Sequence, residues 1–326
     1  MPPVRIIDGI RIAFEQQIAV GSYKTVFRGY DTADGRKLAV SACEATKDNL
    51  NELRLLKRLT HPCIVEVLAS CEDGKHLITV MKLMTPLDKL VPLTHDNSKS
   101  VMKDVLNGLL YLHSQEILHG DVKPDNILVE GLPLRAQLCD FGCALQKKKI
   151  RACHSGTLAY VAPEVLDPER NSVTVKADIF SVGGTLLELK TGKAPWSSTA
   201  SKWDIRQKVG NAEQETPTDF AKRIAELCVD QNNTAAALGV KLAVPVGGFE
   251  RVQRTWKKDA DPYPPELGLL AQQEFSDHHD DVKSFIVSCM QPAEVRNSAE
   301  QMLKHPFFDD DGDDFWKGLL KRLNTT

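Results

Sequence analysis

The sequence predicts an α+β chain in two lobes, a small antiparallel sheet carrying one helix and then a mostly helical half. Three observations predict it. The first third holds short strand-like runs separated by Asp-Gly turns, the periodicity turns helical after Pro86, and 326 residues make about two units of ~150 each. A cleft between a strand-rich and a helix-rich lobe is a usual place for a ligand.

The elements follow in order. Val4 to Ile7 and Ile10 to Ala13 flank Asp8-Gly9, a tight hairpin signal. Further strands are expected at Ile18–Val20, Thr25–Tyr30, Lys37–Ala42, Ile64–Ala69 and His76–Met81, with turns at Asp34-Gly35 and Asp73-Gly74. Leu50, Leu53, Leu56 and Leu59 recur at helical spacing and predict one helix, stopped by His61-Pro62. Val101, Val105, Leu109 and Leu112 form the apolar stripe of a second helix ending near His113. Short strands are expected at Ile127–Val129 and Ala136–Cys139, and helices thereafter. Thr216-Pro217 starts a helix with Phe220, Ile224, Leu227 and Cys228 on one face. Asp309–Asp314 lacks the spacing of a calcium loop and reads as an acidic linker before a short helix on Phe315, Leu319 and Leu323.

Composition narrows the class. With 42% hydrophobic and 26% charged residues the chain is an ordinary globular one, which excludes a disordered or fibrous protein. A net charge of −3 leaves no electrostatic footprint for nucleic acid and no polybasic anchor. No apolar run reaches the ~18 residues of a membrane helix, so no membrane insertion is expected. The eight cysteines form no CxxC pair and no zinc spacing. Without a signal peptide they are expected to be reduced thiols in a cytoplasmic or nuclear protein.

The chemistry concentrates in His119-Gly120-Asp121-Val122-Lys123-Pro124-Asp125-Asn126, followed by Asp140-Phe141-Gly142. Any one of these polar residues alone would be an ordinary turn former. Together, Asp121, Asn126 and Asp140 on loops beside short apolar strands, with Lys123 nearby, are what phosphoryl transfer needs. Oxygens hold Mg²⁺, and one carboxylate orients the attacking hydroxyl.

On these residues the chain resembles the eukaryotic protein kinases, from about Ile12 to Phe308. The resemblance implies the bilobal protein kinase fold. Residues 12–84 would form the N-lobe, 85–308 a C-lobe with an insertion around 204–265, 1–11 a hairpin extension, and 309–326 the linker and last helix. It implies ATP and Mg²⁺ as cofactors and a protein as substrate. Asp121 would be the catalytic base, Lys123 would steady the transferring phosphate, and Asn126 and Asp140 would bind metal. Gly156-Thr157 with Ala162-Pro163-Glu164 is similar to the substrate-positioning segment, and Lys123 with Thr157 resembles serine/threonine rather than tyrosine kinases. Asp178 would hold the catalytic loop and Arg296 would pair with Glu164. Met81 falls at the gatekeeper position. Backbone groups of Lys82 and Met84 would meet adenine, sandwiched by Val26, Ala39 and Leu128. The 204–265 insertion would be a packed helix or a partner-docking surface.

Two departures stand out. The glycine-rich loop, Ala19-Val20-Gly21-Ser22-Tyr23-Lys24-Thr25-Val26, keeps only its central glycine, and the usual strand lysine is Ser41. Lys24, two positions before Val26, shares its face of a strand and would deliver an ammonium to the phosphates from the roof of the cleft. This is similar to the with-no-lysine kinases. Val20, Gly21 and Lys24 are then expected at the nucleotide, and Glu52 is expected to pair with Lys24. The second departure is Gly120, where relatives carry an arginine that grips a phosphorylated activation segment, and Cys153, where they carry the phosphorylated residue. The His-Gly-Asp and Cys-Asp-Phe-Gly wording resembles the NF-κB-inducing kinase. Ser41 and the lost glycines keep a non-catalytic pseudokinase scaffold open. The His-Gly-Asp triplet also occurs in small-molecule phosphotransferases, though these lack the Ala162-Pro163-Glu164 segment.

Overall fold

The computed structural model describes residues 3–20, 24–146, 156–157, 159–166, 173–192, 194–195, 279–291 and 293–309. β1 (Val4–Ile7) and β2 (Ile10–Val20) pair across the Asp8-Gly9 turn, with Ile7 opposite Ile10. Both turn residues have positive φ, 48° and 84°, the combination whose twist matches the flanking strands. β3 (Lys24–Asp31), β4 (Lys37–Glu44), β5 (Ala69–Asp73) and β6 (His76–Lys82) complete an antiparallel sheet ordered β1-β2-β3-β4-β6-β5. Ile7, Ile12, Leu38, Val40, Ala69, Ile78 and Val80 form its own small core. Arg5 of β1 meets Asp73 of β5 at 2.7 Å, so the sheet curls edge toward edge.

Three elements differ from the sequence expectation. Ile10–Ala13 and Ile18–Val20 are one strand, continued through irregular register between Phe14, Gln17 and Ala19; the polar Glu15-Gln16-Gln17 stretch hides that continuity. The helix on Leu50 and Leu53 is α1 (Lys47–Leu56), capped by Thr46 and ending before Leu59. Tighter bonds, Arg58 N to Leu55 O and Leu59 N to Leu56 O, carry the chain on and keep Leu59 buried. The run Ile64–Ala69 is not a strand. Ile64 makes a single bridge to Leu138, and the chain then crosses from the lower core to the sheet, where β5 begins at Ala69. Ile64 and Val65 are apolar because they sit in the large core, not because they are paired along a ladder.

The helical half is built around α2 (His95–Ser114), capped by Thr94, whose Val101, Val105, Leu109 and Leu112 are buried. β7 (Thr85–Pro86), β9 (Ile127–Glu130) and β10 (Arg135–Leu138) make a three-stranded sheet with β9 in the middle, and β8 (Ile117–Leu118) pairs with β11 (Leu145–Gln146). These short ladders hold the loops 119–126 and 139–144 between them. Below lie α3 (Pro163–Leu166), α4 (Ala177–Thr191), α5 (His279–Cys289) and α6 (Ala299–Met302). Every residue of α4 is buried, which accounts for its lack of a polar face. Arg296, 1% exposed, forms a two-pronged pair with Glu164 at 2.5 and 3.0 Å and also donates to Lys176 O and Gln291 O. Among the described residues no helix is long and apolar enough to cross a membrane. Gly21, Cys153, the 204–265 insertion, and the helices expected after Thr216 and on Phe315 lie outside the described residues.

Candidate functional site

A cavity of about 220 Å³ lies between the six-stranded sheet and the short ladders below it. Strand register decides which upper side chains face it. On β3 and β4, Lys24 lies opposite Cys43, Val26 opposite Ser41 and Arg28 opposite Ala39. Directly opposed residues share a face. Lys24, Val26, Ala39, Ser41 and Cys43 accordingly all line the cavity.

Lys24 Nζ lies 2.8 and 3.2 Å from the two Glu52 oxygens and 3.2 Å from Asp140 Oδ1. Burial alone would lower its ammonium, but Asp140 and Glu52 outweigh that and raise it above the ordinary lysine range. Glu52, 9% exposed at its side chain, also accepts from Phe141 N at 3.2 Å. One carboxylate on α1 thus ties the strand-borne amine to the loop that carries Asp140. Asp140 itself has a left-handed backbone, φ 60°, and accepts from Gly142 N.

The lower wall is a second knot of bonds. Asp121 Oδ2 accepts from Lys123 Nζ at 2.8 Å and from Asn126 Nδ2 at 2.8 Å, and its Oδ1 accepts from Thr157 N at 2.7 Å. Lys123 also donates to Thr157 Oγ1 at 2.5 Å. Partial burial pushes the Asp121 carboxyl up, yet Lys123 and Thr157 more than offset it and hold it below the usual carboxylate range. At neutral pH it is an ionised, oriented hydrogen-bond acceptor. Asp178, 1% exposed, receives His119 N and Gly120 N at 2.9 Å each and contacts His113 Nε2 at 2.9 Å. It fixes the loop backbone from beneath.

At the back, Met81, Lys82, Leu83 and Met84 line the cavity, with Leu128 below and Val26 and Ala39 above. The Lys82 side chain turns outward to Glu130, so the chain presents its backbone at that point. Val20 is a correction. It is 68% exposed and does not line the cavity, because it lies opposite Thr25 and shares that residue's outward face. Ile18 and Ala19 line it instead. Ala19 lies opposite Val26, and parity with Val26 is the signal that identifies it. Asn49, Leu53, Leu56, Leu77 and Thr79 extend the lining inward, beyond the residues the sequence points to. No group of three or more His, Cys, Asp or Glu side chains that could hold a metal is found among the described residues. A Mg²⁺ that keeps water and takes phosphate oxygens needs only one or two protein ligands.

A two-lobed chain with an ion-paired lysine on the upper wall of its cleft and a bonded Asp-Lys-Asn-Thr group on the lower wall defines the kinase class of folds. The chain belongs to the protein kinase domain family, whose model matches residues 12–308. It is 32% identical over 246 residues to mitogen-activated protein kinase kinase kinase 1b of Physcomitrium patens, covering 68% of this chain and 32% of that one. It is 31% identical over 226 residues to the serine/threonine-protein kinase WNK of Caenorhabditis elegans, covering 62% of this chain and 12% of that one. Against the probable serine/threonine-protein kinase WNK9 of Oryza sativa subsp. japonica it is 27% identical over 320 residues, covering 92% and 63%. The chain therefore spans less than two thirds of the length of each of these relatives.

Proposed function

We propose that the protein is a serine/threonine protein kinase, transferring the γ-phosphate of ATP to Ser/Thr hydroxyls of a protein, with Lys24 in place of the customary lysine at position 41. The observation that carries this reading is Lys24 Nζ bonded to both Glu52 and Asp140. A side chain that only decorated the surface would not be held by two carboxylates from other elements.

The residues present fit ATP and Mg²⁺. Bound ATP supplies the phosphoryl group, and Mg²⁺ neutralises its charge. Lys24 offers an ammonium for the α and β phosphates, held in place by Glu52. Asn126 spends its Nδ2 on Asp121, which would leave its amide oxygen, with the Asp140 carboxylate, to hold Mg²⁺. Asp121 Oδ atoms orient the incoming hydroxyl and take its proton as its oxygen bonds to the γ-phosphorus and the bond to the β,γ-bridging oxygen breaks, releasing ADP. Lys123 stands between Asp121 and Thr157, where positive charge stabilises the transferring group. Residues 12–84 and 85–308 act as the two lobes, and the 204–265 insertion serves as a packed or partner-docking segment of a cytoplasmic enzyme.

Phosphate transfer from Mg·ATP to a generic serine/threonine substrate tests this. The wild type is expected to turn over, and Asp121→Asn to fall by at least about 10²-fold. A wild type as inert as Asp121→Asn would establish the scaffold reading instead.

A further inference from the structure

Gly120 stands where kinase relatives carry the arginine of the phosphate latch, and the structure shows what its missing side chain permits. Its φ is +81°, and a Cβ added there would lie 2.7 Å from the carbonyl oxygen of Cys143. Gly156 has φ +102°, and a Cβ there would lie 2.6 Å from the carbonyl oxygen of Gly120. Both distances are far inside van der Waals contact. Three stretches of backbone therefore stack without side chains between them: the catalytic loop at 120, the chain just after Asp140-Phe141-Gly142, and the chain entering Thr157. The stack is anchored from below, because Gly120 N donates to Asp178 Oδ1 at 2.9 Å. It is anchored from above by Thr157 N on Asp121 Oδ1 at 2.7 Å.

We propose that Gly120 is a positioning residue. By admitting Cys143 and Gly156 at backbone contact, it clamps both ends of the activation segment to the catalytic loop and holds the Thr157 amide on Asp121 with no phosphate and no arginine. The proposal rests on the kinase reading for its catalytic consequence, but the clamp itself is a geometric claim. A methyl at 120 must move the Cys143 carbonyl by about 0.7 Å to reach the 3.4 Å of ordinary contact. Misplacement on the order of 1 Å costs about 10²-fold when it disturbs an attack geometry. The atoms nearest an added Cβ belong to Cys143 at position 120 and to Gly120 and Asp121 at position 156, not to the Lys24–Glu52–Asp140 group, so KM for ATP is expected to hold.

The test compares Gly120→Ala, Gly120→Asn and Gly156→Ala with Gly9→Ala. Gly9 has nearly the same φ, +84°, and nothing within 4 Å of where a Cβ would stand, so its variant carries the backbone penalty without the collision. Steady-state kinetics and hydrogen exchange at the Thr157 amide are read together. The 120 and 156 variants are expected to lose kcat by at least about tenfold, with KM for ATP unchanged. Their Thr157 amide should exchange at least about tenfold faster, while amides of α2 and α4 keep their protection. Gly9→Ala should match the wild type in both readouts. Asparagine tolerates positive φ, so a Gly120→Asn enzyme at the wild-type rate would overturn the clamp and leave only a conformational preference. Unchanged Thr157 exchange in Gly120→Ala would also overturn it. A wild type without kinase activity, but with a Thr157 amide that only the 120 and 156 variants release, would sink the kinase reading and leave the clamp standing.

Discussion

Moving the lysine back to its customary strand separates the role of the charge from the role of the residue. In the structure Val26 faces Ser41 and Lys24 faces Cys43. Positions 24 and 41 are thus one two-residue step apart along the cleft face, about 7 Å at ~3.3–3.4 Å per residue. A lysine's four-carbon stem spans much of that offset. Lys24→Ala removes the partner of two carboxylates, one of them 9% exposed. Losing one preorganised charge stabiliser costs about 10²–10³-fold in rate, or about 2.7–4 kcal/mol of transition-state stabilisation. The double variant Lys24→Ala/Ser41→Lys is expected to regain at least about tenfold over Lys24→Ala, since an ammonium again faces Glu52 and Asp140. Ser41→Lys alone puts two ammoniums beside the same carboxylates and is expected to fall below the wild type. The assay is kcat/KM for ATP with a saturating protein substrate. Lys24→Ala at the wild-type rate would refute the relocated amine, and a double variant no better than Lys24→Ala would refute the shared-face reasoning.

Two stability predictions follow from buried charge. Lys190 on α4 is 3% exposed, and burial lowers its ammonium to about 8 despite Asp281 and Asp96. Between about 8 and the ordinary 10.5 the unfolded chain holds the proton more tightly than the folded one. Stability of the wild type relative to Lys190→Met should therefore rise with pH across that window, by about 3 kcal/mol in all; urea melts showing a flat difference would contradict it. Arg296→Leu leaves Glu164 buried without its cation and should cost about 3–5 kcal/mol, a Tm drop on the order of 10 °C by calorimetry. Replacing both partners by leucine should recover most of that loss, and a double variant as unstable as Arg296→Leu would show that the pair itself is not what matters.

Much of the architecture is legible where a local rule decides the outcome. Asp8-Gly9 predicts a hairpin because positive φ at two successive residues favours Asp and Gly, and the stripe on α2 predicts its buried face. The contact of Lys24 with the cleft follows from strand parity with Val26. Parity also explains the failure at Val20: the expectation took the loop as a block, whereas the ladder sends Ala19 inward and Val20 outward. Ile64–Ala69 misled because an apolar run records burial without saying what the burial is against. The Gly120–Cys143–Gly156 stack was beyond sequence reasoning. It brings together three loops through backbone atoms, which carry no residue-type signature except the absence of a side chain.

The residues at 24 and 41, and those at 120 and 143, are better understood as pairs than singly. Ser41 is 4% exposed and Cys43 7% exposed, so a long side chain at 41 would compete for the space through which Lys24 reaches Glu52. An amine on β3 and a small residue on β4 are therefore two halves of one arrangement, and the chemistry depends on where the charge sits in space, not on which strand carries it. The same holds at the lower wall. A Cβ at 120 would lie 2.7 Å from the Cys143 carbonyl oxygen, so an arginine there requires that carbonyl to shift. Close backbone packing at 120 and a side chain at 120 therefore compete for the same space.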